Sequence, residues 1–187
     1  MKAHLQTIIF TALVVFAAFS AITYSACTQD KCANAACPTK SSTCIDGFCQ
    51  CYQGYEGPHC ETVTRDRYLN TWIVTENGSI TDAAQYSIYI ERGSSSEPIN
   101  VLKIKNLRDF FIDDITAHVN HDTIYIDQQT VVVNNVSYIV EGNGIITLEK
   151  YYGEHDKLIM KYKVTNLSTG MIDDFGLDGG DASLWNK

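Results

Sequence analysis

Hydrophobic and polar residues alternate along much of the chain beyond residue 60. In the stretch QYSIYIE, the pattern predicts Tyr86, Ile88 and Ile90 on one face and the residues between them on the other. The same period of two recurs in VLKIKNL, DTIYID and KLIMKYKVT. Such alternation is typical of β-strands, because successive side chains of a strand point to opposite faces of the sheet. No segment carries a convincing helical stripe, so an antiparallel all-β domain is predicted over residues 61–187.

Turn-forming residues separate the alternating segments and set the expected architecture. The clearest turn signals are Glu76-Asn77-Gly78-Ser79, Arg92-Gly93-Ser94 and Gly142-Asn143-Gly144. About seven or eight strands fit between such turns, as an up-and-down meander that closes into a small barrel or packs as a sandwich. The predicted core faces carry Trp72, Ile88, Ile90, Leu102, Ile104, Ile124, Ile126, Ile146, Leu148, Leu158, Met160 and Tyr162.

The stretch MIDDFGLDGGDAS near residue 180 is acidic and rich in glycine. Its carboxylates are Asp173, Asp174, Asp178 and Asp181. They lack the alternating spacing of an EF-hand calcium loop. We therefore predict a solvated loop or a frayed tail for this stretch.

The N-terminal stretch has the pattern of a secretory signal. Lys2 forms a short basic region, an apolar run extends to Ile22, and small residues come directly before Cys27. This pattern predicts a signal peptide over residues 1–26 and export of the rest of the chain. The alternative is an uncleaved membrane helix, but the apolar run is shorter than the roughly 20 residues that span a bilayer.

Six cysteines lie within the 29 residues that follow the N-terminal region, at Cys32, Cys37, Cys44, Cys49, Cys51 and Cys60. Because the thiols of exported proteins oxidise, these cysteines are predicted to form disulfides. A module of this size buries too little apolar surface to fold without such bridges. The spacing matches no common structural zinc pattern, and by itself it leaves the pairing open.

The last cysteines carry a recognisable pattern, in which Cys49-x-Cys51 is followed by Gly54-Tyr55, Gly57 and Cys60. Together with the earlier cysteines, it resembles an EGF-like module over residues 32–60. The resemblance implies a small two-stranded hairpin and the bridges Cys32–Cys44, Cys37–Cys49 and Cys51–Cys60. Some modules of this family bind calcium, and Asp30 and Asp46 offer carboxylates near the corresponding positions. Calcium needs six or more oxygen ligands, so solvated loop carboxylates are the preferred interpretation.

The seventh cysteine, Cys27, lies outside this framework and ends the short sequence YSAC. This sequence resembles a bacterial lipobox, in which the cysteine is diacylated and becomes the mature N-terminus. The resemblance implies a lipidated tether over residues 27–31 and a lipid anchor at the bacterial outer membrane or cell surface. Two acyl chains suffice for stable anchoring. Secretion without a lipid is the alternative.

The stretch YLNTWIVTE, from Tyr68 to Glu76, is followed by one predicted strand after another. This order resembles the lipocalin-like β-domains of small Bacteroidota surface lipoproteins, in which an EGF-like module can precede the β-domain. The resemblance implies a lipocalin-like architecture for residues 61–187. An eight-stranded barrel has room inside for packed side chains or for one small ligand.

Charge and motifs narrow the functional classes. The chain holds 14 basic and 22 acidic residues, for a net charge of −8, which excludes the basic footprint of a nucleic-acid-binding protein. The sequence has no Gly-x-Ser-x-Gly elbow, phosphate loop or His-Glu-x-x-His motif. The close histidine pair, His118 and His121, would point to opposite faces of a strand. We therefore expect no catalytic residues, no metal site and no cofactor.

These observations together predict an exported, lipid-anchored, non-enzymatic binding protein. The EGF-like module is expected to act as a spacer or contact surface between the membrane and the β-domain. The β-domain is expected to recognise an unknown protein, glycan or small apolar ligand. The alternative function is that of a lipocalin-type carrier, which would hold a small apolar ligand inside the barrel.

Overall fold

A computed structural model describes residues 30–147 and 156–187. The predicted signal peptide and Cys27 lie outside these residues. Within them, no helix is both long and apolar enough to cross a membrane. The strands in chain order are β1 (Ser42–Ile45), β2 (Phe48–Cys51), β3 (Tyr55–Glu56), β4 (Thr62–Val63), β5 (Asn70–Glu76), β6 (Ala84–Arg92), β7 (Val101–Lys105), β8 (Ile115–Asn120), β9 (Thr123–Val133), β10 (Val136–Thr147), β11 (Lys157–Asn166), β12 (Ile172–Phe175) and β13 (Ser183–Asn186). Short 3-10 helices cover Thr64–Tyr68 and Leu107–Asp109.

The N-terminal module is built from two small hairpins and three disulfides. Strands β1 and β2 pair antiparallel, and the turn between them contains Asp46 and Gly47, both with positive φ. The bridges are Cys32–Cys44, Cys37–Cys49 and Cys51–Cys60, the three pairs that the EGF-like resemblance implies. Strand β3 pairs with β4, so the strand pairing continues three residues beyond Cys60, to Val63.

The rest of the chain forms an eight-stranded antiparallel barrel, as the alternating pattern predicted. Strands β5 to β11 follow one another in up-and-down order, each paired with the next. The eighth position is shared by two short strands. Strand β13 pairs with the first half of β11 and also with β5, whereas β12 pairs with the second half of β11. The barrel therefore closes through its C-terminal segment.

The prediction of a solvated loop or frayed tail for the stretch MIDDFGLDGGDAS is only partly correct, because residues 176–182 form a loop but the residues on either side belong to strands of the barrel. Phe175 of β12 and Trp185 of β13 are buried in the core. Residues 176–182 leave the sheet between the two strands, and Asp174 organises this excursion by accepting hydrogen bonds from the backbone N–H groups of Leu177, Asp178 and Gly179. Each strand has only four residues, so its alternation was too short to stand out among the acidic and glycine residues.

The prediction of a turn at Gly142-Asn143-Gly144 is also wrong. These residues lie inside β10, next to a register shift between Val140 and Gly142. The glycines make room for large neighbouring side chains, because a Cβ at Gly144 would lie 2.5 Å from Sδ of Met160. A Cβ at Gly142 would collide with Tyr162. These two glycines are required by close packing of β10 against its paired strand β11, and not by a chain reversal.

Side chains fill the interior of the barrel. The predicted core residues are buried, as expected, except for Leu148, which lies outside the described residues. The largest side chains that are fully buried are Trp72, Trp185, Tyr68, Tyr162, Phe111 and Phe175. The indole Nε1 of Trp72 donates a hydrogen bond of 2.7 Å to the carbonyl of Tyr68, so this polar atom is satisfied inside the core.

The disulfide-rich module contacts one end of the barrel, which we call the module end. Glu56 of β3 pairs with Arg67, and the same guanidinium pairs with Asp122 in the β8–β9 turn. Gly54 lies against Ile99 in the β6–β7 connection, since a Cβ at Gly54 would be 2.5 Å from the Ile99 side chain. Because neighbouring strands are antiparallel, the connections β5–β6, β7–β8, β9–β10 and β11–β12 lie at the opposite end, which we call the distal end.

Candidate functional site

The distal end of the barrel encloses a buried carboxylate. Glu76 is the last residue of β5 and shares the inward face of that strand with Trp72 and Val74. Its Oε1 accepts a hydrogen bond of 2.8 Å from the hydroxyl of Tyr86, and its Oε2 accepts one of 2.8 Å from the hydroxyl of Tyr162. Hydrogen bonds to a charged acceptor are stronger than those between neutral groups. These two bonds therefore stabilise the association of β5 with β6 and β11.

The same network continues into the closing strand. The hydroxyl of Ser183 donates a hydrogen bond of 2.7 Å to Oε2 of Glu76. The indole Nε1 of Trp185 donates one of 2.8 Å to the oxygen of Ser183. Ser183 is fully buried, so a substrate has no access to its hydroxyl. The hydrogen bond between Ser183 and Glu76 therefore stabilises the fold.

Burial keeps the tyrosines of this network in their neutral form. Desolvation raises the pKa of Tyr162 well above its ordinary value, and the neighbouring Tyr86 and Glu76 raise it further. Burial also raises the pKa of Tyr86, with Glu76 as the next cause. The oxygen of Tyr86 in turn accepts a hydrogen bond of 2.8 Å from the backbone N–H of Arg108. Both phenols therefore remain hydrogen-bond donors to Glu76 at neutral pH.

An ion pair lies beside this network and joins the β7–β8 connection to β12. The guanidinium of Arg108, in the β7–β8 connection, is 2.7 Å from Oδ2 of Asp173 in β12. Asp173 is buried and also accepts hydrogen bonds from the β5–β6 connection, 3.0 Å from the N–H of Ile80 and 2.8 Å from the hydroxyl of Thr81. The Arg108 guanidinium also lies over the ring of Phe175, at 4.9 Å. The connections at this end are thus held in a defined arrangement.

A cleft of about 150 Å³ opens next to the ion pair. Its lining consists of Ile80, Arg108, Tyr138, Val164, Asn166, Met171 and Asp173. The ring of Tyr138 packs edge-on against Phe110 and Phe111, with ring centres 5.3 and 5.8 Å apart. The cleft is therefore mainly apolar, with one ion pair and one amide that can orient a bound group.

Exposed apolar side chains lie at the distal end, on the connections and on β12, and two of them, Ile80 and Met171, line this cleft. We call them the distal rim, which comprises Ile80, Phe110, Ile112, Leu167, Met171 and Ile172. Ile112 is 86% exposed and Met171 is 53% exposed. Clusters of exposed apolar side chains next to a concave surface mark interaction sites. The distal end is therefore suited to binding a partner through apolar contacts around a few polar groups.

The residues considered for metal binding take other partners. Nδ1 of His118 is 3.0 Å from Asp127, and its ring stacks on Tyr125 on the outside of the barrel. His121 lies in the β8–β9 turn with a positive φ, so the two histidines belong to different local structures. In the part of the chain that the structure describes, no group of three or more histidine, cysteine or acidic side chains is placed to hold a metal ion.

The two module carboxylates also make local contacts. Asp30 accepts a hydrogen bond of 2.9 Å from the backbone N–H of Cys32. Asp46 lies 3.7 Å from the ammonium group of Lys31. Each carboxylate thus stabilises the start or the turn of the module.

Sequence reasoning missed the distal site. Glu76 did carry a signal, because it continues the inward alternation of Trp72 and Val74 and so places an acid on the apolar face. Arg108 and Asp173 carried no such signal, since each lies outside a long alternating segment. Neither the protein-family models nor the curated proteins compared with this sequence include a match.

Proposed function

We propose that the protein is an exported, lipid-anchored, non-enzymatic binding protein that recognises its partner with the distal end of the barrel. In this proposal residues 1–26 are a signal peptide, and Cys27 carries the lipid that holds the chain at the outer membrane or cell surface. Residues 32–60 form an EGF-like spacer between lipid and barrel. A protein with exposed apolar side chains is the partner that the distal rim favours.

The observation that carries the proposal is the position of the distal rim. It lies at the opposite end of the barrel from the disulfide-rich module. An anchor at Cys27 would attach the chain to the membrane on the module side. The distal rim would then face away from the attachment point, where a partner can reach it. Exposed apolar side chains in this number are costly to leave in water without a use.

The size of the distal cleft favours recognition of a partner's surface over a small-molecule site at this end of the barrel. Pockets that hold a small-molecule ligand usually measure about 300–1,000 Å³, whereas this cleft measures about 150 Å³. Large aromatic residues also occupy the barrel interior. The cleft suits a single side chain of a partner.

Export is supported by the three disulfides, because such bridges form and persist in oxidising compartments. The lipid anchor is supported by the sequence YSAC at Cys27. Replacing Cys27 with Ser should move the protein from the membrane fraction into the soluble fraction. A wild-type protein whose mature N-terminus is any residue other than Cys27 would refute the anchor.

The recognition surface can be tested by placing a photo-crosslinking amino acid at Met171 or Ile112 of the full chain in its native cells. A control with the same label at Ile145, which is 58% exposed on the wall of the barrel, has similar exposure but lies away from the distal end. We expect a discrete crosslinked protein from both distal positions and none from the control. A mass increase of small-molecule size would instead support the carrier function, and equal crosslinking from all three positions would refute a distal site.

A further inference from the structure

The β1–β2 hairpin of the module ends in an exposed apolar pair. Ile45 and Phe48 face each other across the two-residue turn of the hairpin. They are 51% and 78% exposed, which is unusual for large apolar side chains at the tip of a hairpin. Directly paired residues project from the same face of a hairpin. The two side chains therefore form one apolar surface, which we call the hairpin tip.

The hairpin tip is held rigidly by its surroundings. Cys44 and Cys49 form the next residue pair, and they are bridged to Cys32 and Cys37 respectively. Gly47 adopts φ 90°, a conformation that suits a tight two-residue turn. Since the tip cannot rearrange to bury its side chains within the module, a partner surface must cover them if they are to leave water.

The N-terminal segment runs directly past this tip. A Cβ at Gly47 would lie 3.4 Å from both the Cβ and the carbonyl oxygen of Lys31, and Lys31 also pairs with Asp46 of the turn. Cys27 precedes Lys31 by four residues. A chain of that length spans at most about 14 Å even when fully extended. Whatever the conformation of this segment, Cys27 can be no farther than that from Lys31, which lies against the turn of the hairpin.

We propose that Ile45 and Phe48 enter the surface of the membrane as a second contact beside acylated Cys27, an inference that rests on the lipid anchor proposed above. Acyl chains buried in the bilayer bring the hairpin tip to the interface, where apolar side chains gain by leaving water. Two separate contacts fix the orientation of the module on the membrane, which a lipid anchor alone does not.

The charge distribution favours this placement. Residues 30–60 carry three acidic and two basic side chains, so the module is close to neutral. Residues 61–187 carry 19 acidic and 11 basic side chains, and their negative charge keeps the barrel away from anionic headgroups. The module is therefore the part of the chain that can approach lipid without electrostatic cost.

The inference can be tested with a Phe48→Trp variant of the full-length acylated protein, inserted in phosphatidylcholine vesicles with brominated acyl chains. Bromine quenches only indoles that enter the lipid. The native Trp72 and Trp185 are fully buried in the barrel, so they provide a constant background. Because Phe48 is mostly exposed, the exchange leaves the packing of the module unchanged, and mapping of the three disulfides checks this.

We expect the Phe48→Trp emission to shift to the blue and to be lost in brominated vesicles. The matched control is Ile112→Trp, an exposed position on the distal rim, whose emission should not change. Vesicle-bound protein in which position 48 is not quenched and stays accessible to an aqueous quencher would overturn the inference, and so would equal quenching at both positions. Flotation of the wild-type protein with vesicles tests the lipid anchor separately. Protein that does not float with vesicles would refute both the lipid anchor and the inference that rests on it.

Discussion

At the scale of single residues, Glu76 connects four strands of the barrel. It belongs to β5 and accepts hydrogen bonds from Tyr86 of β6, Tyr162 of β11 and Ser183 of β13. A buried polar network in which each member is satisfied strengthens a fold, whereas a partly satisfied one weakens it. The closing strand therefore depends on this carboxylate as well as on apolar packing.

Replacing Glu76 with Gln should lower the free energy of unfolding by about 1–3 kcal/mol, because an amide cannot accept all three hydroxyl donors and leaves at least one unsatisfied in the core. Urea unfolding followed by tryptophan fluorescence measures the change. The control is Glu91→Gln, which removes a surface ion pair with Lys105 and should cost less than about 1 kcal/mol. Equal losses for the two variants would contradict the role of Glu76.

The buried tyrosines should make the barrel sensitive to alkaline pH. Burial raises the pKa of Tyr68, Tyr86 and Tyr162, whereas tyrosine in an unfolded chain ionises near pH 10. Because the folded state retains the proton, stability is intact below about pH 10 and is lost above it, by about 1.4 kcal/mol per pH unit for each such tyrosine. A titration of tyrosinate absorbance together with circular dichroism measures this.

We expect the three buried tyrosines to ionise only together with unfolding. A titration in which every tyrosine ionises at one midpoint, with the circular dichroism unchanged, would show that burial does not raise the pKa of these tyrosines.

At the scale of elements, the two glycines of β10 make room for the large side chains of its paired strand β11. Replacing Gly142 with Ala should destabilise the fold by about 1–3 kcal/mol, because the added methyl group meets the backbone and side chain of Tyr162. The control is Gly179→Ala in the excursion between β12 and β13, where an added methyl group meets no atom within 4 Å. Thermal unfolding of the two variants gives the comparison, and a Gly142→Ala protein as stable as the control would contradict the packing argument.

The sequence predicts those elements whose alternation is long enough to be distinctive. Strands β6 and β11 span 9 and 10 residues and show a clear period of two. Strand β9 spans 11 residues, and its period shifts between Ile126 and Val131, opposite the register shift in β10. Strands β12 and β13 span four residues each, and a charged excursion separates them. Their place in the barrel depends on pairing with β11 and β5, which no local pattern can reveal.

The distal site was also harder to predict, because its residues are far apart in the chain and meet only in the folded barrel. Glu76 and Ser183 are 107 residues apart in the chain, and Arg108 meets Asp173 only because the β7–β8 connection and β12 come together at one end of the barrel. The disulfide pairs, by contrast, are those implied by the resemblance to an EGF-like module, which rests on cysteines and glycines that lie close together in the chain. Prediction from sequence therefore succeeds where the determinants are close in the chain.

At the scale of the whole molecule, the disulfides and the barrel core stabilise different parts of the chain. The three bridges close segments with separations of 12, 12 and 9 residues, and each contributes roughly 2–3 kcal/mol in the chain-entropy model. The barrel core is formed by residues from Tyr68 to Trp185 and includes no disulfide.

Reduction should therefore unfold residues 32–60 and leave the barrel folded. Near-ultraviolet circular dichroism from the buried tryptophans should persist after reduction, while backbone amide exchange in the module becomes fast. If reduction and alkylation of the cysteines abolish the tryptophan signal as well as the protection of the module's amides, the two parts unfold as one cooperative unit. The contact through Arg67 would then couple them.

The division of the eighth strand has a consequence for how the chain reaches its native state. Strand β5 completes its pairing only with β13, more than a hundred residues later, and such long-range pairing gives a high contact order and slow folding. Until that pairing forms, β5 and one side of β11 are open sheet edges that can associate with other chains. A chain that crosses a membrane unfolded would thus need a chaperone to shield these edges until its last strand arrives.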